Sequence, residues 1–256
     1  MTITIQPPAT KRVSMTSLRK TALVAGVFYL ITFIAGIPPA LILYGPVLNN
    51  PDYIVGPGTD TRLLLGGFLE VINALACIGT AVTLFPVVKR QNEAVALGFV
   101  TARVLEAAII VIGVVSILSV VTLRQAGAGG ADAASLVTTG KSLVAIHNWT
   151  SLLGPGVIPG VNALLLGYLM YRSRLVPRVI PALGLIGAPL LLASATATMF
   201  GIYDQISPLS AIAALPIALW ELALGVWLVV KGFKPSPITA GMVTASTPPA
   251  DRDVDA

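Results

Sequence analysis

The sequence predicts an all-α fold: a polytopic membrane helix bundle with six transmembrane helices, and with the N-terminus and C-terminus both cytoplasmic. Three observations carry that prediction. Of 256 residues, 55% are hydrophobic and only 11% charged, with a mean hydropathy of +0.88, whereas an ordinary soluble domain carries about 25% charged residues. Six apolar runs, at 21–44, 63–88, 94–123, 142–171, 179–200 and 209–230, can each cross a hydrocarbon core as a helix, which takes about 18 residues or more. Finally, lysine and arginine cluster on alternate connections between the runs, the pattern that orients a membrane chain.

The first run follows Lys11, Arg12, Arg19 and Lys20, but it exceeds the 7–15 apolar residues of a signal-peptide core. It is therefore read as a retained span, interrupted near its end by Pro38-Pro39. The second run ends at Lys89 and Arg90. The third and fourth runs would each be about 45 Å long as helices at 1.5 Å per residue, so they should tilt, kink or protrude from a core about 30 Å thick. The fifth and sixth carry single prolines, Pro189 and Pro216. None of the runs shows the strict alternation of a membrane barrel strand.

Orientation follows from the basic residues. The N-terminal tail, Lys89-Arg90, the cluster Arg172, Arg174 and Arg178, and the C-terminal Lys231, Lys234 and Arg252 all fall on one side. Only Arg62, Arg124 and Lys141 fall on the other, with Asp52, Asp60, Asp132 and Asp204. The positive-inside bias places the richer side in the cytoplasm and the protein in the cytoplasmic (inner) membrane. Tyr44 and Tyr203 read as outer interfacial aromatics, and Tyr168, Tyr171 and Trp227 as inner ones. Short inner connections make spans two and three, and spans four and five, antiparallel neighbours. The outer connections 45–62 and 124–141 are long, the second containing Gly127, Gly129 and Gly130. The membrane domain covers 18–234, and the Pro-, Ser- and Thr-containing tails 1–17 and 235–256 are expected to be disordered.

Composition also excludes functions. A formal charge of +5 and a pI near 9.6 could suggest nucleic acid, but basic residues between apolar runs do not form a phosphate-binding face. Cys77 is the one cysteine and His147 the one histidine, which leaves no intramolecular disulfide, no metal site and no bis-histidine haem within one chain. No cofactor is expected. The sequence has no G-x-S-x-G elbow, H-E-x-x-H, Walker loop or dinucleotide fingerprint, and His147 with Ser151 is a poor hydrolase signal because such a serine bonds to its own helix. No catalytic residue is assigned. The expected partner is the lipid bilayer, with a small solute, a protein partner or a second copy of the chain left open.

Ionisable groups within lipid are costly and mark candidate sites. Counted inward from the nearest interfacial charge, Arg103 lies about 20 Å deep with Glu106 one turn beyond, and Glu221 and Asn162 about 15 Å deep. These four form an inner-to-middle tier. Arg103 and Glu106 share a helix side at i, i+3, and the depth match predicts that Arg103 is neutralised by Glu221, Glu106 or both. The alternative is that this ion pair only fixes helix register. On the outer side, Glu70 lies about 12 Å and His147 about 9 Å from Arg62 and Lys141, supported by Asn73 and Asn148. That pair would be a proton relay, or His147 would simply donate to a backbone carbonyl.

The fourth span contains Gly154, Pro155, Gly156, Pro159 and Gly160, an interruption that would break the helix and bare backbone groups for ion binding, or else only kink it. A weak echo of Glu106-Ala107-Ala108 in Glu221-Leu222-Ala223 would suit a three-plus-three inverted repeat.

Several spaced motifs resemble those of the bacterial membrane-protein family catalogued as domain of unknown function 4386. They are Ala102-Arg103-Val104-Leu105-Glu106-Ala107, His147-Asn148-Trp149 with Leu153-Gly154-Pro155-Gly156, Tyr171-Arg172-Ser173-Arg174-Leu175-Val176-Pro177, and Glu221-Leu222-Ala223-Leu224-Gly225 through Lys231-Gly232-Phe233. The resemblance runs from about Leu18 to Lys234. It implies a multi-pass protein without an assigned activity and lends no catalytic or binding residue. Transport of an ion or small solute, with a proton as the coupling ion, is one reading of the buried charges. The other is a non-catalytic structural or sensory protein, with Gly66, Gly67, Gly79 and Gly113 lining a lateral face for self-association.

Overall fold

The computed structural model describes residues 16–56, 59–127 and 132–240. Lys11, Arg12, Gly129, Gly130, Arg252 and most of both expected tails lie outside the described residues. Every described element is helical, and six helical segments are long and apolar enough to cross a membrane.

The helices begin where the sequence supplies a side-chain acceptor for their free amides. Helix α1 (Ser17–Pro38) starts with Thr16 accepting from the Arg19 amide at 3.3 Å. After α1 a π-helical turn, Pro39–Leu43, extends the first span, and a short helix α2 (Gly45–Leu48) follows it, so Pro38-Pro39 widens the helix without ending it. Helix α3 (Thr61–Val88) is continuous through Pro86. Helix α4 (Glu93–Gly127) opens with Asn92 accepting from the Val95 amide; its 35 residues amount to about 52 Å, well beyond a bilayer core. Helices α7 (Val179–Met199) and α8 (Pro208–Val230) run unbroken through Pro189 and Pro216. A reciprocal Ser207–Ser210 capping box opens α8, and Gly201 and Gly232, both in the left-handed region, follow the ends of α7 and α8, as such glycines commonly do.

The fourth span is broken. Helix α5 (Ala133–Leu153) stops at Gly154, and α6 (Ile158–Ser173) begins after a four-residue turn. A Cβ on Gly156 would stand 2.3 Å from the Leu152 carbonyl oxygen, so this turn requires glycine there. Pro159 lies in the first turn of α6, where an N–H would have no helical partner. The amides of Gly154, Gly156, Val157, Ile158 and Gly160 all bond to nearby carbonyls. The break therefore leaves none of those amide donors free.

Neighbouring spans pack in chain order, α1 on α3, α3 on α4, α4 on α5 and α6, α6 on α7 and α7 on α8, and α8 returns to α1. The bundle is thus a closed ring, with spans two and three, and four and five, adjacent as the short connections required. At the α1–α8 crossing, a Cβ on Gly26 would be 2.7 Å from the Gly225 carbonyl oxygen, so only small residues allow this approach. At the same end of the ring, the Arg19 guanidinium donates to the Leu228 carbonyl at 2.8 Å. Beyond α8, the Lys234 amide donates to Leu175 and Ser236 Oγ to the Ser173 carbonyl. Residues 235–240, read from sequence as tail, thus pack here, with Thr239 buried.

The glycines assigned to a lateral face are used inside the bundle. Gly66 lies against Tyr44, Gly67 against Leu118, Gly79 against Phe28 and Gly113 against Thr150. Their lack of side chains is taken up by contacts within the chain, which corrects their reading as a self-association surface.

Candidate functional site

The ring closes around one arginine. Arg103, on the face of α4 turned inward, retains 2% of its surface. Its Nη1 donates to Glu106 Oε2 at 3.0 Å, and its Nη2 donates to Glu221 Oε1. Asn162 Nδ2 adds a second donor to Glu106 Oε2 at 2.8 Å. Nη2 also lies 3.4 Å from Tyr29 Oη and Nη1 3.8 Å from Cys77 Sγ. The guanidinium carbon sits 5.3 Å from the Tyr29 ring centroid and 6.0 Å from that of Phe99, within cation–π range. Side chains from α1, α3, α4, α6 and α8 therefore meet at this hub.

The local sequence explains the meeting. Gly26 and Gly225 bring α1 and α8 together about one turn from Tyr29 and Glu221, so both side chains reach the ring interior. The break at 154–157 starts α6 afresh, and Asn162 falls in its second turn. Both Arg103–glutamate pairings expected from depth counting are present, and all four inner-tier residues are brought together. Among the described residues the hub holds one guanidinium and two carboxylates. Arg103 Nε and Asn162 Oδ1 have no hydrogen-bond partner there, which is unusual for buried polar atoms.

The outer tier is arranged differently. Tyr44 is fully buried and donates from Oη to Glu70 Oε2 at 2.8 Å. Its ring stands edge-on to His147, with centroids 5.1 Å apart. It is thus a core residue between the two groups and not an interfacial marker. His147 Nδ1 lies 3.3 Å from the Gly113 carbonyl oxygen, which sets Nδ1 as donor and Nε2 as acceptor for Ser151 Oγ at 3.4 Å. No bond joins Glu70 directly to His147 among the described residues, so the backbone-donor alternative describes this histidine. Asn73 accepts weakly from Cys77 at 3.9 Å and faces Gly36, which ties it towards the hub. Asn148 instead lines a pocket of about 180 Å³ with Lys141, Val47, Ile54, Val120 and Val144. That pocket touches none of the hub residues.

At the far end of α4, Arg124 forms a clasp over the 45–62 connection. It pairs with Asp60, donates through Nη2 to the Gly56 carbonyl at 2.9 Å and lies 4.8 Å from the Tyr53 ring centroid. Burial alone would raise the Asp60 pKa. Hydrogen bonds from Gln125, Arg124 and Tyr53, with the Arg124 charge, outweigh it and hold the carboxyl below its usual range. The same arrangement pushes the Tyr53 phenol up, through burial first and then its bond to Asp60.

Sequence reasoning missed Tyr29, Cys77, Tyr44 and the Arg124–Asp60 clasp. Depth counting would have found the first two, since Tyr29 lies about 14 Å from Lys20 and Cys77 about 18 Å from Lys89, the same tier as Arg103 and Glu221. Among known proteins, a family model described as Domain of unknown function (DUF4386) matches residues 24–232. Neither a curated protein nor a solved structure matches the chain.

Proposed function

The chain belongs to the family Domain of unknown function (DUF4386), and from that premise we propose that this multi-pass membrane protein carries an ion or small solute across the cytoplasmic membrane with a proton. One observation carries the proposal: two carboxylates surround a single guanidinium at the centre of the ring. With all three ionised, the hub keeps one surplus negative charge, and an uncompensated charge within lipid costs several kcal/mol. A proton that arrives and departs removes that cost, and its movement changes what holds five helices together. The broken fourth span supports the reading, because α6 can shift with Asn162 without straining a continuous helix. The basic end of the ring then faces the cytoplasm, by the positive-inside bias.

Reconstitution into liposomes loaded with a pH-sensitive dye tests this. Native protein should pass protons under an imposed gradient, and Glu106→Gln should abolish that flux. Equal fluxes from the two would remove proton coupling.

A second reading, of a structural or sensory protein, has its own observation. The Arg103 guanidinium is wholly enclosed, and the outer pocket does not reach it. Under that reading the charges fix helix register, and an apolar pair of similar volume would serve as well. Replacing Arg103 and Glu221 together with Met and Leu would then leave folding and activity intact.

A further inference from the structure

We infer that the hub is a proton-binding site whose proton sits on Glu221, at Oε2, and not on Glu106. This rests on the charge count behind the proposed function but assigns the site to one atom. Glu106 Oε2 accepts two N–H donors, Arg103 Nη1 and Asn162 Nδ2, and its side chain is 5% exposed. Two charge-assisted bonds favour the ionised form of that carboxyl. Glu221 receives one donor, Arg103 Nη2 on Oε1, and Oε2 takes no hydrogen bond among the described residues. Neutralising Glu221 weakens one charge-assisted bond, its contact with Arg103, whereas neutralising Glu106 would weaken two.

Access points the same way. The Glu221 side chain keeps 13% of its surface against 5% for Glu106 and 2% for Arg103, so it is the hub carboxyl least enclosed by the bundle and can exchange a proton without opening the rest of the cluster. The groups around it are Arg103 and Glu106 from α4, Tyr29 from α1 and Asn162 from α6, with Cys77 of α3 behind Arg103. Helix α7, packed on α8, carries no ionisable side chain. The hub therefore has two states: Arg103⁺ with Glu106⁻ and neutral Glu221, or the same trio with Glu221 ionised and its proton released.

A hydrophobic carbodiimide, which reacts with protonated carboxyls in apolar surroundings, tests this on the full chain in phosphatidylcholine vesicles, with the modified residue located by mass spectrometry. Native protein at neutral pH should be labelled at Glu221 and not at Glu106. Glu106→Gln removes the surplus charge, so Glu221 should stay ionised against Arg103 and lose at least tenfold in labelling rate. Glu106→Asp keeps that charge and should retain the labelling, which separates charge from misfolding. Labelling of Glu106 in place of Glu221, no labelling at either, or undiminished labelling in Glu106→Gln each overturns the assignment. Labelling at Glu221 without proton flux in liposomes would sink the transport reading and leave this one. Flux without that labelling would do the reverse.

Discussion

Arg103 and Arg124 stand on the same helix about 32 Å apart, each paired with a carboxylate and each near an aromatic ring. Arg103 is enclosed by five helices, with two carboxylates and no described backbone carbonyl within bonding distance. Arg124 closes a connection at the edge of the bundle, where a backbone carbonyl and a nearby amide side chain share the load. The chemistry is nearly the same, but the surroundings set what it can do. In the hub, charge imbalance cannot be relaxed by solvent, so it must be met by a proton or by structure. At the clasp, one cation meets one carboxylate and the charges already balance, with the Gly56 carbonyl, Gln125 and Tyr53 as further partners, so the pair is a local fastening.

Removing one partner should break this contrast most forcefully. Arg103→Leu leaves Glu106 and Glu221 facing each other in the ring interior and should lower stability by about 3–5 kcal/mol, measured by thermal unfolding in detergent. Replacing Arg103 and Glu106 together by Met and Leu, which removes the ionised pair and leaves the protonated Glu221, should recover most of that loss. If the double variant is as unstable as the single one, the hub owes its stability to something other than charge balance.

Packing at the outer tier comes next. A Cβ on Gly66 would approach Tyr44 Cε1 to 2.5 Å, so Gly66→Val must displace the ring that bonds Glu70, at a cost of about 1–3 kcal/mol. The same melts would detect it, and a silent variant would mean that Tyr44 repacks freely. The clasp should give the smallest effect. Arg124→Gln should cost about 1 kcal/mol at neutral pH, since Gln125 and Tyr53 still donate to Asp60.

The clasp also sharpens the contrast through pH. The folded-state pKa of Asp60 is lowered, so its contribution is complete above the unfolded carboxylate value of about 4. It is lost as pH falls through the lowered folded value. The stability gap between native protein and Arg124→Gln should therefore hold at pH 7 and shrink below about pH 4; a gap that widens in acid would reverse the assigned sign.

Much of this was legible in the sequence, for identifiable reasons. Hydrophobic length located all six crossings, because burial in lipid constrains composition more strictly than burial in a soluble core. Depth counting brought Arg103, Glu106, Glu221 and Asn162 to one level, because rise per residue converts position into depth. What escaped was lateral placement and contact with neutral groups. Tyr29 and Cys77 were not counted because neither carries charge. Tyr44 read as an interfacial anchor because an aromatic at a span end usually is one, and only the space left by Gly66 reveals that it turns inward. The fourth span could have kinked or broken, and the close approach of Gly156 to Leu152 that accompanies the break is visible only in three dimensions.

The spacing of Arg103 and Glu106 bears on how such a chain could be made. Glu221 lies 118 residues after Arg103, so during synthesis the third helix enters the bilayer long before its distant partner exists. A guanidinium travelling alone would resist that passage, but Glu106, three positions on, accompanies it as a built-in counter-ion and makes the newborn segment electrically neutral. The later glutamate then completes the assembly from across the ring, and only at that moment does the interior acquire an ionisable group it can afford to switch.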